Sequence, residues 1–202
     1  MRPAELSAPE AALAPRAYGA PAASGVLRTE PEDFVVEEEL GFAPAGSGSH
    51  LLLKVRKRNA NTQWVARELT RLAGCRPADA GYAGLKDRHA VAVQWFSVPR
   101  PRAAVDWRER RSGEFEVLEV HEHTRKLPRG ALAGNRFAVR IRAPGGDGAA
   151  LGERLAARLE AIARRGVPNY FGAQRFGRDA GNLQRLGTPL RRLPPQRASR
   201  RA

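Results

Sequence analysis

Short runs that favour extended chain are interleaved with two helical periods, and that pattern narrows the possible folds more than any other feature of the sequence. Phe34-Val35-Val36-Glu37-Glu38-Glu39 is rich in strand formers, residues 41–49 supply a Gly, Pro and Ser loop, and residues 50–56 read as a second strand. These two runs are expected to pair as a hairpin. Residues 90–98 put Val91, Val93 and Trp95 on one side, and residues 114–121 repeat the pattern with Phe115, Val117 and Val120. Phe137, Val139 and Ile141 then alternate with Ala138, Arg140 and Arg142. Asn61 stands where an N-cap belongs, Trp64, Val65, Leu69 and Leu72 recur at near-helical spacing, and Gly74 occupies the left-handed end position. Asp147 is placed to cap a second helix, with Leu151, Leu155, Leu159 and Ile162 as its apolar stripe and Gly166 as its end. No regular βαβ beat connects these elements. The expectation is an α+β fold, a mixed, largely antiparallel sheet flanked by helices, rather than a doubly wound one.

Charge points to the partner. Thirty-five basic against 21 acidic side chains leave a net +14 over 202 residues, which suits a polyanion. Apolar residues at 42% argue against general disorder, and no apolar run approaches the ~20 residues needed to span a bilayer. One cysteine, Cys75, excludes an internal disulfide and a thiolate zinc site and fits a reducing compartment; with no export signal visible, a cytoplasmic location is expected. Residues 1–22 read as a flexible lead-in and 23–184 as the folded part. Residues 185–202, in a stretch with no acid after Asp179, read as a basic, disordered tail. Charge alone leaves open both an enzyme and a binding module, such as a ribosome-associated or DNA-compacting protein.

The chemistry concentrates in Gly81-Tyr-Ala-Gly-Leu-Lys-Asp-Arg-His, a glycine-led turn ahead of a strand that presents Asp87 outward between Lys86 and Arg88. Flanking cations favour an ionised carboxylate, which suits nucleophilic or general-base work; by itself, Lys-Asp-Arg also describes an ordinary solvated cluster. Four histidines, His50, His89, His121 and His123, lack accompanying Cys or acidic ligands at metal spacing, so no metal site is expected.

Gly84-Leu85-Lys86-Asp87 resembles the signature of the TruD family of tRNA pseudouridine synthases. Further blocks follow in family order: Glu32-Asp-Phe-Val-Val-Glu, Asn61-Thr-Gln-Trp-Val-Ala, Arg125-Lys-Leu-Pro-Arg-Gly-Ala-Leu-Ala-Gly-Asn-Arg-Phe and Val167-Pro-Asn-Tyr-Phe-Gly-Ala-Gln-Arg-Phe-Gly. The resemblance implies a pseudouridine synthase-like catalytic domain that needs no cofactor and isomerises a tRNA uridine in the D-arm region, usually uridine 13. It implies Asp87 as the catalytic carboxylate, as nucleophile or as base. Phe34 is implied to pack against the extruded nucleotide, Asn135 to hydrogen-bond nucleophile or nucleotide, Phe137 to line the pocket, and Lys86, with Arg88, to hold phosphates. Lys54, Arg56, Lys57, Arg58 and the cluster at 125–129 are candidates to track the tRNA backbone. Plainer readings stand beside these, Phe34 as a core residue and Asn135 as a turn residue. Tyr170, Phe171, Gln174, Arg175 and Phe176 receive no role. Family members continue past the last block, so the chain reads as a truncated catalytic half, active or reduced to a catalytically inactive basic RNA-binding protein.

Overall fold

The computed structural model describes residues 16–107, 113–143, 145 and 148–170. Its elements are β1 (Val26–Leu27), β2 (Phe34–Leu40), β3 (His50–Arg58), α1 (Thr62–Ala73), β4 (Gly81–Tyr82), β5 (Val91–Pro99), β6 (Phe115–His123), β7 (Leu132–Val139), β8 (Ile141–Arg142) and α2 (Gly148–Arg165). They divide into two compact units. One spans residues 25–145 and holds every strand and α1; the other groups the described residues of 4–24 with those of 146–202, including α2.

The main sheet runs β6-β3-β5-β2-β7, with β4 also on β5. β5 sits at its centre because it can be buried on both faces: Ala92, Gln94, Trp95, Phe96, Ser97 and Val98 are all enclosed. It pairs antiparallel with β3 along its whole length, parallel with β2 through Val91–Val93, and antiparallel with β4 at Ser97 and Phe96. The expected α+β class and mixed, largely antiparallel sheet are therefore what the chain adopts. The expected hairpin of residues 34–39 with 50–56 is not. β5 lies between those strands. The nine residues from 41 to 49 are far longer than a tight hairpin turn, so they free β3 to take the doubly buried strand as partner. β2, carrying three successive glutamates, is left nearer the edge with β7. The run expected at 137–141 is divided between β7, which starts earlier, at Leu132, and β8.

α1 closes one face. Its Val65, Ala66, Leu69 and Ala73 pack on Leu51, Leu53 and Val55 of β3, Phe96 and Val98 of β5, and Phe115 and Val117 of β6. Full burial of Leu53 or Leu69 is worth about 2 kcal/mol each. Gly74 ends the helix as expected, in the left-handed conformation at φ 64°, its N–H reaching the Thr70 and Arg71 carbonyls. Asn61 precedes the helix but offers no side-chain cap; its carbonyl accepts the Val65 N–H instead. A smaller cluster of Leu52, Ala83, Trp95 and Leu127 covers the opposite face. In the second unit, α2 ends at Gly166, φ 71°, with its N–H on the Ile162 carbonyl at 2.7 Å. The proposed cap Asp147 lies outside the described residues.

Gly81 allows β4 to approach its neighbours: a Cβ there would stand 2.4 Å from the Leu127 carbonyl oxygen and 2.5 Å from Ser97 Oγ. Gly81→Ala is expected to lower unfolding free energy by about 1–3 kcal/mol, read from urea denaturation, because backbone must shift to admit one methyl group.

Candidate active site

Residues 83–90 leave β4, cross the end of the sheet and return as β5. The loop is fastened to buried polar groups beneath it. Gln94 donates from Nε2 to the Gly84 carbonyl at 2.6 Å, Thr62 Oγ1 donates to Gln94 Oε1 at 3.0 Å, and the Lys86 N–H donates to that same Thr62 oxygen at 3.0 Å. Thr62 and Gln94 are both fully buried, so each of these bonds forms where an unmade one would be costly. Lys57 Nζ donates to the Asp87 carbonyl at 2.7 Å and to the Ala60 carbonyl at 2.8 Å. Two consecutive residues, Lys86 and Asp87, are thus held through their main chain.

Their side chains diverge. The Lys86 ammonium turns inward, 2.6 Å from Glu38 Oε2, in an ion pair whose side chains are 8% and 0% exposed. Glu38 Oε1 accepts the Trp95 N–H. Asp87 turns outward, 41% exposed, and meets Arg28 Nη2 at 3.2 Å. Arg28 in turn sits over Phe34, its guanidinium carbon 4.0 Å from the ring centroid, and Phe34 packs against Phe137 with 5.9 Å between ring centroids. Register explains the grouping. Val36 faces Phe137 and Glu38 faces Asn135 across the β2–β7 ladder, so Phe34, Glu38, Asn135 and Phe137 share one face of the sheet. Phe137 is 58% exposed there. The loop carrying Asp87 is tied to this face through Glu38.

Arg28 has φ 57°, a conformation that non-glycine residues rarely adopt, and the His89 ring hydrogen-bonds its carbonyl at 2.9 Å. Just after it, Asp33 is fully buried and accepts from Arg142 Nε at 2.7 Å and from the Glu30 N–H at 3.1 Å. The Arg142 guanidinium holds the Asp33 carboxyl below its usual range. This network fixes the turn that delivers Arg28 and Phe34.

Several expectations meet different partners. The cation beside Asp87 is Arg28, 59 positions away, rather than its sequence neighbours: Lys86 serves Glu38, and Arg88 reaches the Asn59 carbonyl. Lys86 is therefore not displayed toward a phosphate. Lys57 is not on the surface at all; burial pushes its ammonium down to about 8, against the pull of the Asp87 charge and with the push of Lys86. Lys54, Arg56 and Arg58 are exposed or half-buried but engaged by Glu37 and Glu119, Glu116 and Glu32 respectively. Lys126 donates to the Ala78 carbonyl, and Arg129 stacks on Tyr82. His123 stacks on Phe42 and accepts the Ala45 N–H, while His121 bonds Glu119; among the described residues no three potential ligands gather around a metal position. A cavity of about 440 Å³ beside Tyr82, Lys126 and Arg129 includes none of the Asp87 group. Tyr170 is exposed, and Phe171, Gln174, Arg175, Phe176 and the 185–202 tail lie outside the described residues. No helix among the described residues is long and apolar enough to cross a membrane.

The structure thus holds an outward carboxylate on an anchored loop, and paired aromatic rings with an amide on one face of the sheet. The model of the family tRNA pseudouridine synthase D (TruD) matches residues 14–200. The chain belongs to the TruD family. It is 50% identical over 190 residues to the tRNA pseudouridine synthase D of Methylococcus capsulatus, covering 92% of this chain and 52% of that relative. With a namesake from Xanthomonas campestris pv. campestris it shares 51% over 170 residues, 84% of this chain and 45% of the other. The crystal structure of a candidate TruD protein from Methanosarcina mazei superposes with a TM-score of 0.66 at 30% identity, over 76% of this chain and 35% of that one. The chain thus spans about half the length of the curated relatives it matches.

Two stability experiments follow from the buried cations. Lys86→Met strands the Glu38 carboxylate and is expected to cost about 3 kcal/mol at neutral pH in denaturant unfolding, while adding Glu38→Gln restores most of it. For Lys57, the native value near 8 lies below the ordinary 10.5. The unfolded chain therefore binds the extra proton between those values, so stability conferred through this group rises as pH climbs from 8 to 10.5. The difference in stability between wild type and Lys57→Met, compared by urea titration at pH 7 and pH 10, is expected to move in favour of wild type on the alkaline side.

Proposed function

We propose that this chain supplies the catalytic half of a tRNA pseudouridine synthase, acting on a uridine of the D-arm region, with uridine 13 the expected position. The observation that carries the reading is Asp87: a half-exposed carboxylate whose main chain is tied down from beneath while its side chain faces outward. The reaction breaks the bond between ribose C1′ and uracil N1 and forms one between C1′ and C5. The C5 proton is lost and N1 gains one, so the change is an isomerisation with no net redox and calls for no cofactor. A carboxylate beside the ribose can serve it by attack on the sugar or by taking a ribose proton.

The remaining residues fall into roles suited to that step. Arg28 meets the Asp87 carboxylate at 3.2 Å, yet a pair this exposed contributes at most about 1 kcal/mol, so it can give way to a substrate contact. Phe34 and the exposed Phe137 offer rings to a base removed from its stack, at a cost to the RNA of a few kcal/mol. Asn135, in register with Glu38, brings an amide to the same face for hydrogen bonding to the nucleotide. Lys86 orients the loop rather than the substrate. The net +14 charge supplies attraction to the tRNA backbone.

The competing reading is a basic RNA-binding chain without turnover, for which the net charge of +14 alone would suffice. Tritium release from tRNA carrying 5-tritiated uridine separates the two. Wild type is expected to release tritium and Asp87→Ala to lose at least ~10²-fold in rate. If both are inert while both bind tRNA with a steep salt dependence, the binding reading takes its place.

A further inference from the structure

A lysine sealed from water is costly unless its N–H groups find acceptors, and an apolar side chain of similar length would avoid that cost. Lys57 is 0% exposed at the end of β3, and its register partners on the two neighbouring strands, Ala92 and Phe115, are apolar. Its two hydrogen bonds are divided between different parts of the chain. One goes to the Ala60 carbonyl, in the segment leading into α1; the other goes to the carbonyl of Asp87. We propose that Lys57 is a positioning residue for Asp87, its ammonium fastening that residue's main chain to the rigid end of β3. The inference rests on the catalytic reading of Asp87 given above.

The need for such a fastening lies in how lightly Asp87 is otherwise held. Its side chain is exposed and its ion pair with Arg28 is weak, so the carboxylate's place is set by its Cα, and the Cα by the loop. Thr62 fixes Lys86 through the N–H of that residue, and Lys57 fixes the next residue through its carbonyl. Bonds on either side of the 86–87 peptide group together restrain that stretch of the turn more closely than either does alone. A displacement of about 1 Å in a reacting group costs on the order of 10²-fold in rate. The charges that act on Lys57 are the Asp87 carboxylate and the Lys86 ammonium; Thr62, Ala92 and Phe115, from the neighbouring elements, bring none. Loss of the Lys57 proton above about pH 8 therefore removes the charge that strengthens its two bonds and attracts Asp87.

The test compares the full chain as wild type, Lys57→Met and Lys57→Arg by amide NMR and by single-turnover pseudouridine formation. Lys57→Met is expected to shift or broaden the amides of Lys86, Asp87 and Arg88 while those of α1 and β6 keep their positions and protection. Its rate is expected to fall about 10²-fold with tRNA affinity within threefold, and Lys57→Arg to recover part of the rate and to lose the alkaline decline that wild type shows above pH 8. Unmoved loop amides in Lys57→Met would overturn the proposal. So would amide changes spread evenly over the sheet, which would make Lys57 a general element of stability. Should wild type itself form no pseudouridine, the proposed function fails for this chain, and the amide comparison still decides whether Lys57 places Asp87.

Discussion

The candidate site turns on one constraint: a loop that projects a carboxylate into solvent has to be held by its main chain. Exposed side-chain contacts cannot meet it, since an exposed ion pair contributes about 0–1 kcal/mol. The molecule meets it from below, where water is absent. Gly84, Lys86 and Asp87 are each bonded through their backbone to Gln94, Thr62 and Lys57, all fully enclosed. The Lys86–Glu38 pair adds a charged anchor in the same layer. Bonds in such a medium are individually stronger and collectively less forgiving, because breaking one strands its partner.

The sheet supplies these anchors because polar residues are set among apolar ones on the face that α1 only partly covers. Leu51, Leu53 and Val55 meet the helix, and two positions further along β3 the same face presents Lys57. On β5 the alternation that buries Phe96 and Val98 also points Gln94 at the loop. On β2 it places Glu38 under Lys86, and on β7 it brings Asn135 and Phe137 alongside. The apolar core and the functional face are two ends of one pleated surface.

What the sequence revealed follows the range of the interactions. Gly74 and Gly166 were legible because left-handed helix ends are local, and the outward placement of Asp87 because its turn is local too. The strand pairing was not: β2 and β3 are consecutive, yet partner choice was decided by the double burial of β5, which periodicity does not report. Arg28 was missed because its link to Asp87 spans 59 positions; the sole hint is a basic residue just ahead of the Glu32-Asp33-Phe34 block. Lys57, one of a run of basic residues, could be told from Arg56 and Arg58 by strand parity alone, since alternate residues face opposite sides. In a chain with 35 cations, that parity is the signal most easily overlooked.

β4 and β2 occupy the same edge of β5 in succession, β4 against Phe96 and Ser97 and β2 against Val91–Val93. The loop therefore begins and ends at fixed stations, and its intermediate residues are pinned at stated places between them. One residue more or less between Tyr82 and Val91 could not be absorbed by slack. It would carry Lys86 out of reach of Glu38 or turn Asp87 inward. In this part of the chain, spacing is itself what decides where the Asp87 carboxylate stands.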